Sequence, residues 1–416
     1  MHVGIVHYAA PPVVGGVELT IFHHARVLTA LGHRVTVVAG RGGPFLPGVA
    51  YRDEPLVGSR SEPIAEANQA LAAGQVPAGF GDLVLQIGDA LLAYLEECDV
   101  AIGHNLFTLH KNLALTAAVH RLVLAKVGPP WVAWHHDFAW LRPQYQPELH
   151  AGEPWELLRR PWPGVGHVTV SEAQRADLAR LYEIVPEAIA VIPPGVEPAD
   201  FYRLSDTVAR LVRNWGLLEA DCLFLLPARI TRRKNVELAL RWLAAVRAQS
   251  GWDAHLLVTG PPGPHNPTNL AYLEHLLALR DDLRLSNVVH FVYEAHERTG
   301  VPLLLADEEV ASLYQIADAL LFSSRQEGFG IPILEAALAR LPIFATNLPP
   351  FRESAAAGAV LFPRDTPPAE VAHTIVTTLL ADRAFQLRRR VLTRFTWGRL
   401  VETQVVPLFI AHAAAR

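Results

Sequence analysis

Cysteine, methionine and lysine are scarce in this chain of 416 residues, which has two, one and three of them. Cys98 and Cys222 stand far apart, so a disulfide scaffold and a cysteine zinc site are both excluded as organising principles. No run of about 18 uninterrupted apolar residues occurs, so no membrane-spanning helix is expected. The N-terminus, MHVGIVHYAA, lacks the basic start and long apolar core of a signal peptide, and a soluble cytoplasmic protein is the expectation. An excess of positive charge is missing too. The formal net charge of −5 argues against a nucleic-acid-coating surface. There is no H-E-x-x-H to ligate a metal and no Asp-x-Asp pair to hold a divalent cation on a nucleotide. Lysine is the most informative shortage. Of 36 basic residues only Lys111, Lys126 and Lys234 are lysines, so each position that kept one invites a question.

What is present is a regular alternation. Short β-branched runs alternate with longer helical patterns, the sign of βα units and parallel sheets. HVGIVHYA, RVTVVAG, CDVAIGHN, PWVAWHHD and GHVTVS read as strands, and LTIFHHARVLTALG and LALTAAVHRLVLAKVG as helices. The pattern breaks at AVIPPGVEPADF and restarts with CLFLLPA, AHLLVTG, NVVHFVY, ADALLFSS and LPIFATN. Between these, ELALRWLAAVRAQ, NLAYLEHLLALRDDL and IPILEAALARL read as helices, and GRLVETQVVPLFIAHAAAR as one more at the end. The length suits two domains. Residues 1–194 and 195–395 form two α/β halves in this reading, and 396–416 form a C-terminal helix. The stretch 41–97 is the hardest to interpret.

In open α/β sheets ligands bind beyond the carboxyl ends of the strands, so the loops there carry the search. AAPPVVGGVE, residues 9–18, lacks the G-x-G-x-x-G spacing of a dinucleotide site. Its Gly15 and Gly16 leave either a tight turn or a bare helix start suited to an anion. ARITRRKN places Arg229 and Lys234 five apart ahead of a helix. A lysine among available arginines suggests a compact charge for phosphate oxygens, against the plainer reading of a solvated basic turn. In SSRQEGFGIPILEA, residues 323–336, Gly328 and Gly330 permit close backbone approach, and Pro332 suits a first helical turn. Glu335 follows about one turn into that helix and Glu327 lies on the loop. Acidic residues favour helix starts in any case, which accounts for Glu335 and leaves Glu327 unexplained. Two further strand ends carry histidines: His135, His136 and Asp137 in VAWHHDF, and His104 with Asn105 in GHNL. The loop TGPPGPHNPTN, 259–269, suits a rigid turn, and His265 within it receives no role.

Taken in order, GGVE, IPPGVEPADF, ARITRRKN, LYQIADALLFSS and the Glu-x7-Glu of EGFGIPILE resemble the retaining glycosyltransferases of family 4. The resemblance spans nearly the whole chain. It implies the GT-B architecture: two facing Rossmann-like domains with parallel sheets, closing over a donor in a central crevice. By resemblance, residues 1–194 bind the acceptor, 195–395 bind a nucleotide sugar, and 396–416 pack back on the first domain. Arg229 and Lys234 would bind the donor diphosphate in place of a metal, and Glu335 the ribose. Glu327 would hold the transferred sugar with the backbone of Gly328, Phe329, Gly330 and Ile331. Gly15 and Gly16 would approach the distal phosphate. His136 resembles the histidine that contacts the donor sugar, and His104, Asn105 and Asp137 are candidates for an acceptor or sugar contact. The implied activity moves a hexose from a GDP- or UDP-sugar to a sugar, glycan, lipid or small-molecule acceptor with an α-linkage. No cofactor, metal or nucleic-acid partner is expected, and a peripheral membrane contact is left open. The stretch 41–97 would shape the acceptor site. A nucleotide-sugar epimerase and a non-catalytic nucleotide-sugar-binding subunit are the alternatives. Asn235 stands where the family commonly has glycine, and His135 doubles the histidine.

Overall fold

The computed structural model describes residues 1–263, 268–295 and 301–414, and it divides into two compact units. Unit 1 comprises Met1–Gly195 with Phe395–Arg416, and unit 2 is Val196–Arg394. Each unit is built on one parallel sheet. In unit 1 the strands are β1 (His2–His7), β2 (Arg34–Ala39), β3 (Val49–Asp53), β4 (Val100–His104), β5 (Trp131–His135), β6 (Gly166–Thr169) and β7 (Ile189–Val191). Unit 2 has β8 (Cys222–Leu226), β9 (Ala254–Val258), β10 (Val289–Phe291), β11 (Ala319–Phe322), β12 (Ile343–Thr346) and β13 (Val360–Phe362). Both are Rossmann-like. The first runs β3-β2-β1-β4-β5-β6-β7 and the second β10-β9-β8-β11-β12-β13.

Central strands such as β4, β5, β8 and β9 are buried along their whole length. Helices cover both faces of a parallel sheet, which is why these strands read as unbroken apolar runs. Three edge strands, β3, β7 and β13, were not read from the sequence. Exposed Arg52 and Asp53 end β3, so no apolar run marks it, while β7 and β13 are apolar but only three residues long, too short for a strand period to register. The uninterpreted stretch 41–97 contains two helices, Glu62–Ala72 and Phe80–Leu95.

The order of strands fixes where chemistry can gather. Each sheet starts with a central strand, adds neighbours on one side, then crosses to the other. The reversal falls between β1 and β4 in unit 1 and between β8 and β11 in unit 2. Connecting segments diverge there, which opens a crevice beyond the carboxyl ends of the strands.

The C-terminal segment is helical from Trp397 to Ala414, with a wide π-turn at Val401–Val405. Pro407 explains the wide turn: it cannot donate to the carbonyl four residues back and its ring crowds that carbonyl. Val401, Val405 and Phe409 are fully buried among Val3, Ile5, Val35 and Ile102 of the first sheet. His412 Nε2 meets the Trp131 carbonyl at 2.9 Å, and the ring of Trp397 stacks on His23 at 5.0 Å. Gly195 must be glycine for this contact, because a Cβ there would lie 2.8 Å from the Trp397 backbone nitrogen. The last residues therefore complete the core of unit 1. Phe409→Ala should cost about 3–5 kcal/mol of unit 1 stability. Urea denaturation followed by tryptophan fluorescence measures it, and a loss below about 1 kcal/mol would mean the segment is dispensable.

Candidate active site

In unit 2 the loops after β8 and β11 are sewn together at the strand-order reversal. Asn235 has a φ of 51°, the left-handed region that glycine adopts without strain, which accounts for asparagine replacing it here. Its amide donates to the Ser323 carbonyl at 3.2 Å, and the Ser323 hydroxyl donates back to the Asn235 carbonyl at 2.9 Å. Arg325 N–H donates to the Arg233 carbonyl at 2.7 Å. These bonds carry Lys234 and Glu327 into contact. Lys234 Nζ lies 2.5 Å from Glu327 Oε1, and both side chains are about nine-tenths buried. Arg233 Nη1 reaches Glu327 Oε2 at 3.0 Å, and the Ser324 hydroxyl donates to Oε1 at 2.7 Å. The ammonium also sits 4.9 Å from the centre of the Phe322 ring.

Burial pushes the Lys234 ammonium below its ordinary pKa, partly offset by Glu327 and reinforced by Arg233. Burial alone would push Glu327 up. The bonds from Lys234 and Ser324, with the charge of Arg233, overcome it and hold the carboxyl below its usual range. The two residues that the resemblance assigns to different parts of a donor are thus partners of each other. Arg233, read only as a sign that arginine was available, is the third member.

Gly330 caps the helix Ile331–Leu338 at φ 98°, and a Cβ there would meet the ring of Phe351 at 2.8 Å. Phe351 is fully buried and stacks on Phe322 at 5.0 Å, so it cannot yield. Gly328 has open space where its side chain would be. Phe329 and Ile331 are exposed. Glu335 is exposed on the helix, and Oε2 accepts from the Tyr314 hydroxyl at 2.5 Å. Burial and then the carboxylate raise the Tyr314 pKa, so the phenol stays a donor. Tyr314 lies on the helix Asp307–Ile316, in the LYQIADALLFSS segment that carries the resemblance, but its pairing with Glu335 is not legible there. Arg229 is exposed and has no protein partner among the described residues. Its loop is buttressed by the next one: Ile230 N–H donates to the Pro261 carbonyl at 2.9 Å, and a Cβ on Gly260 would lie 2.5 Å from the Ala228 carbonyl. His265 lies outside the described residues.

In unit 1, Gly15 and Gly16 begin the helix Gly16–Ala30. Gly16 is open, but the carboxylate of Glu18 lies across Gly15, so this helix start is not bare. Histidines gather at the ends of β1, β4 and β5. His104 Nδ1 and His136 Nε2 are 3.0 Å apart. Asn105, at φ 61°, accepts the N–H of His136 at 2.8 Å and of Asp137 at 3.3 Å, so its oxygen aligns the strand end. Asp137 Oδ1 accepts from Arg142 Nε at 2.5 Å and from Phe138 N–H at 3.0 Å. His135 turns away, since successive side chains of a strand point to opposite faces. It is fully buried between Thr108 and His167, so the doubled histidine is a core residue.

The protons of this cluster can be placed. His7 Nδ1 lies 2.9 Å from the His104 carbonyl, which can only accept, so His7 is protonated at Nδ1. His104 Nε2 is buried without a partner among the described residues. A buried N–H with no acceptor is the rarer and costlier orphan, so His104 carries its proton on Nδ1 and donates it to His136. His136 is therefore protonated at Nδ1, with Nε2 occupied. Burial, with His7 adding to it, pushes His136 down to about 3, and burial pushes His7 to about 4 and His24 to about 3. His24, packed edge-on against Trp134 at 4.7 Å, has both ring nitrogens unpartnered among the described residues and was not singled out in the sequence. Among the described residues no group of three or more potential ligands could hold a metal ion.

With this geometry in place, comparison with known proteins is decisive for the family. Residues 210–392 match the profile of glycosyl transferases group 1, and residues 14–200 match that of Glycosyltransferase Family 4. The chain is a group 1 glycosyltransferase of family 4. A mannosylglucosylglycerate synthase of Petrotoga mobilis is 24% identical to this transferase over 86% of the chain and 84% of that protein. An MMP alpha-(1->4)-mannosyltransferase of Mycolicibacterium hassiacum is 26% identical over the full length of both. A D-inositol 3-phosphate glycosyltransferase of Kineococcus radiotolerans is 29% identical over 56% of the chain and 54% of that protein. No helix of the transferase's described residues is long and apolar enough to cross a membrane.

The tautomer of His136 can be measured directly. Two-bond ¹H–¹⁵N spectra of the ligand-free transferase should show His136 protonated at Nδ1 and not titrating between pH 8 and 5. A proton on Nε2, or a titration near the ordinary histidine value, would refute the arrangement.

Proposed function

We propose that this transferase moves a hexose from a GDP- or UDP-hexose to an acceptor hydroxyl, retains the α-configuration and needs no divalent ion. The observation that carries this reading is the cluster of Lys234, Arg233 and Glu327 at the strand-order reversal of unit 2. An ammonium has three N–H donors and Glu327 uses one, so two remain for diphosphate oxygens. Arg229, free of a carboxylate among the described residues, supplies the second cation. Glu335, held by Tyr314, takes the ribose hydroxyls. Glu327, with the backbone of Gly328, Phe329, Gly330 and Ile331, takes the hydroxyls of the transferred sugar. The names of two relatives, a mannosylglucosylglycerate synthase and an α-(1→4)-mannosyltransferase, favour a hexosyl donor and an α-linked product.

The leaving nucleoside diphosphate gains negative charge in the transition state, and fixed cations there stabilise it without reorganising. Inversion would need a free base on the far face of the sugar. The geometry of unit 1 supports the opposite outcome. His136 has its accessible nitrogen protonated and Nε2 filled by His104, so it serves as a donor to a sugar oxygen. Asp137 is engaged by Arg142 and a backbone N–H. The departing phosphate is then the base that takes the acceptor proton, on the same face that it leaves.

Lys234→Ala should lower turnover about a hundredfold, the usual effect of losing one fixed charge from such a site. Lys234→Arg should recover only part of it, because a planar guanidinium replaces a compact ammonium in a buried place. Wild-type turnover in the alanine variant would reduce Lys234 to a structural ion pair. The reaction itself is tested by NMR of the anomeric proton in the first product formed from an α-linked donor, with a chelator present. An α-linked product without added metal is expected. A β-linkage, or activity restored only by magnesium or manganese, would overturn the reading.

A further inference from the structure

Of the three lysines, Lys234 belongs to the cluster in unit 2, and Lys126 ends the helix Leu113–Ala125 in the left-handed conformation. Lys111 has neither task. It stands at the end of the loop that follows β4, one residue before Asn112, the cap of that helix. Asn112 accepts the N–H of Leu115 at 2.9 Å, and its amide donates to the carbonyls of Leu56 at 2.9 Å and Gly58 at 2.7 Å. One side chain thereby fixes the loop after β3, which carries Arg60, beside the loop that carries Lys111. Asn68 holds the Lys111 carbonyl at 2.8 Å.

These two loops border a cavity of about 270 Å³ at the carboxyl end of the sheet in unit 1. Arg60, Lys111, His110 and Glu148 line it, over an apolar floor that includes Leu113 and Trp155. Lys111 is half-buried, with Nζ 4.6 Å from the centre of the Tyr145 ring, and Arg60 is exposed. Neither meets a carboxylate among the described residues. Glu148 is occupied by His110 Nε2 at 2.7 Å. His110 is buried, with Nδ1 unpartnered among the described residues. Burial, and then the charge of Lys111, lowers its pKa, so it donates to Glu148 as a neutral ring without cancelling that charge. Two cations therefore oppose one carboxylate, and the cavity keeps a surplus positive charge. Its volume lies just below the range for drug-sized sites, about 300–1,000 Å³, which suits a molecule no larger than one sugar.

We propose that this cavity is the acceptor site and that the acceptor is a small polyhydroxylated anion, a sugar phosphate or sugar acid, whose charged group lies between Lys111 and Arg60. The proposal rests on the transferase reading above. The loop gives it a place in the reaction, since the same segment begins at His104 and Asn105, which orient His136, and ends at His110 and Lys111. A lysine suits such a group, because a compact ammonium can turn three donors onto phosphate or carboxylate oxygens.

Isothermal titration of the full chain with glucose 6-phosphate, glucuronate and neutral glucose tests the charge preference, with GDP and UDP as a separate arm. At least one anion should bind about tenfold or more tightly than glucose, and the stronger of the two identifies phosphate or carboxylate. Lys111→Gln should weaken that anion about three- to tenfold, and Glu148→Gln should tighten it by a similar factor, both effects fading as salt is raised. GDP or UDP affinity should not change in either variant. Equal binding of glucose and both anions, no anion binding at millimolar concentration, or shifts of the same sign in the two variants would overturn the proposal. If the charge preference holds while neither nucleotide binds wild-type protein, the anion site stands and its assignment to the acceptor falls with the donor reading.

Discussion

The candidate site of unit 2 depends on the bonds that join the loop after β8 to the loop after β11. Those strands are neighbours because the strand order reverses between them, yet they lie far apart in sequence. Ser323 and Asn235 exchange hydrogen bonds across that gap, and Arg325 closes onto Arg233. Without this seam Lys234 and Glu327 would be two solvated charges on separate loops, worth little to each other. With it, they form a buried pair with Arg233 and Ser324 as further partners.

The sequence made part of this readable. An apolar run announces each central strand, and a Gly-Phe-Gly-x-Pro turn announces a helix start, so the positions of Glu327, Glu335, Arg229 and Lys234 at strand ends could be inferred from local pattern alone. Lys234 stood out because the chain uses arginine almost everywhere else. Pairings that depend on tertiary contact left no such trace. Nothing in the spacing links Lys234 to Glu327 or Tyr314 to Glu335, because each pair is made by strand order and helix packing. The edge strands β3 and β13 escape for more local reasons: partial burial lets β3 end in Arg52 and Asp53, and β13 is three apolar residues, too few to show a period. The histidines at 135 and 136 show the limit of reading by composition. Adjacent and identical, they are sent by the pleat to opposite faces, one into the core and one to the site.

Around His24 and His104, unit 1 buries a group of histidines that hydrogen bonds compensate only in part. His24 and His104 keep unpartnered ring nitrogens among the described residues, and burial holds the cluster neutral well below the ordinary histidine range. Such groups contribute their stability above the unfolded-state value of about 6.5 and lose it as pH falls toward their folded values. The gain is a chain of rings whose protonation does not change over the neutral range. The proton on His136 is then set by its neighbours and not by the medium.

The C-terminal helix has a consequence for synthesis. Unit 1 is discontinuous, and the residues that complete its core emerge only after the whole of Val196–Arg394 has been made. At usual elongation rates that delay is on the order of ten to forty seconds. During it the first sheet is assembled but open along the surface that Val401, Val405 and Phe409 will cover. Unit 2, whose chain is continuous, can reach its native core first. The apolar strip of the first sheet that Val401, Val405 and Phe409 cover is thus the last part of the core to find its partner during synthesis.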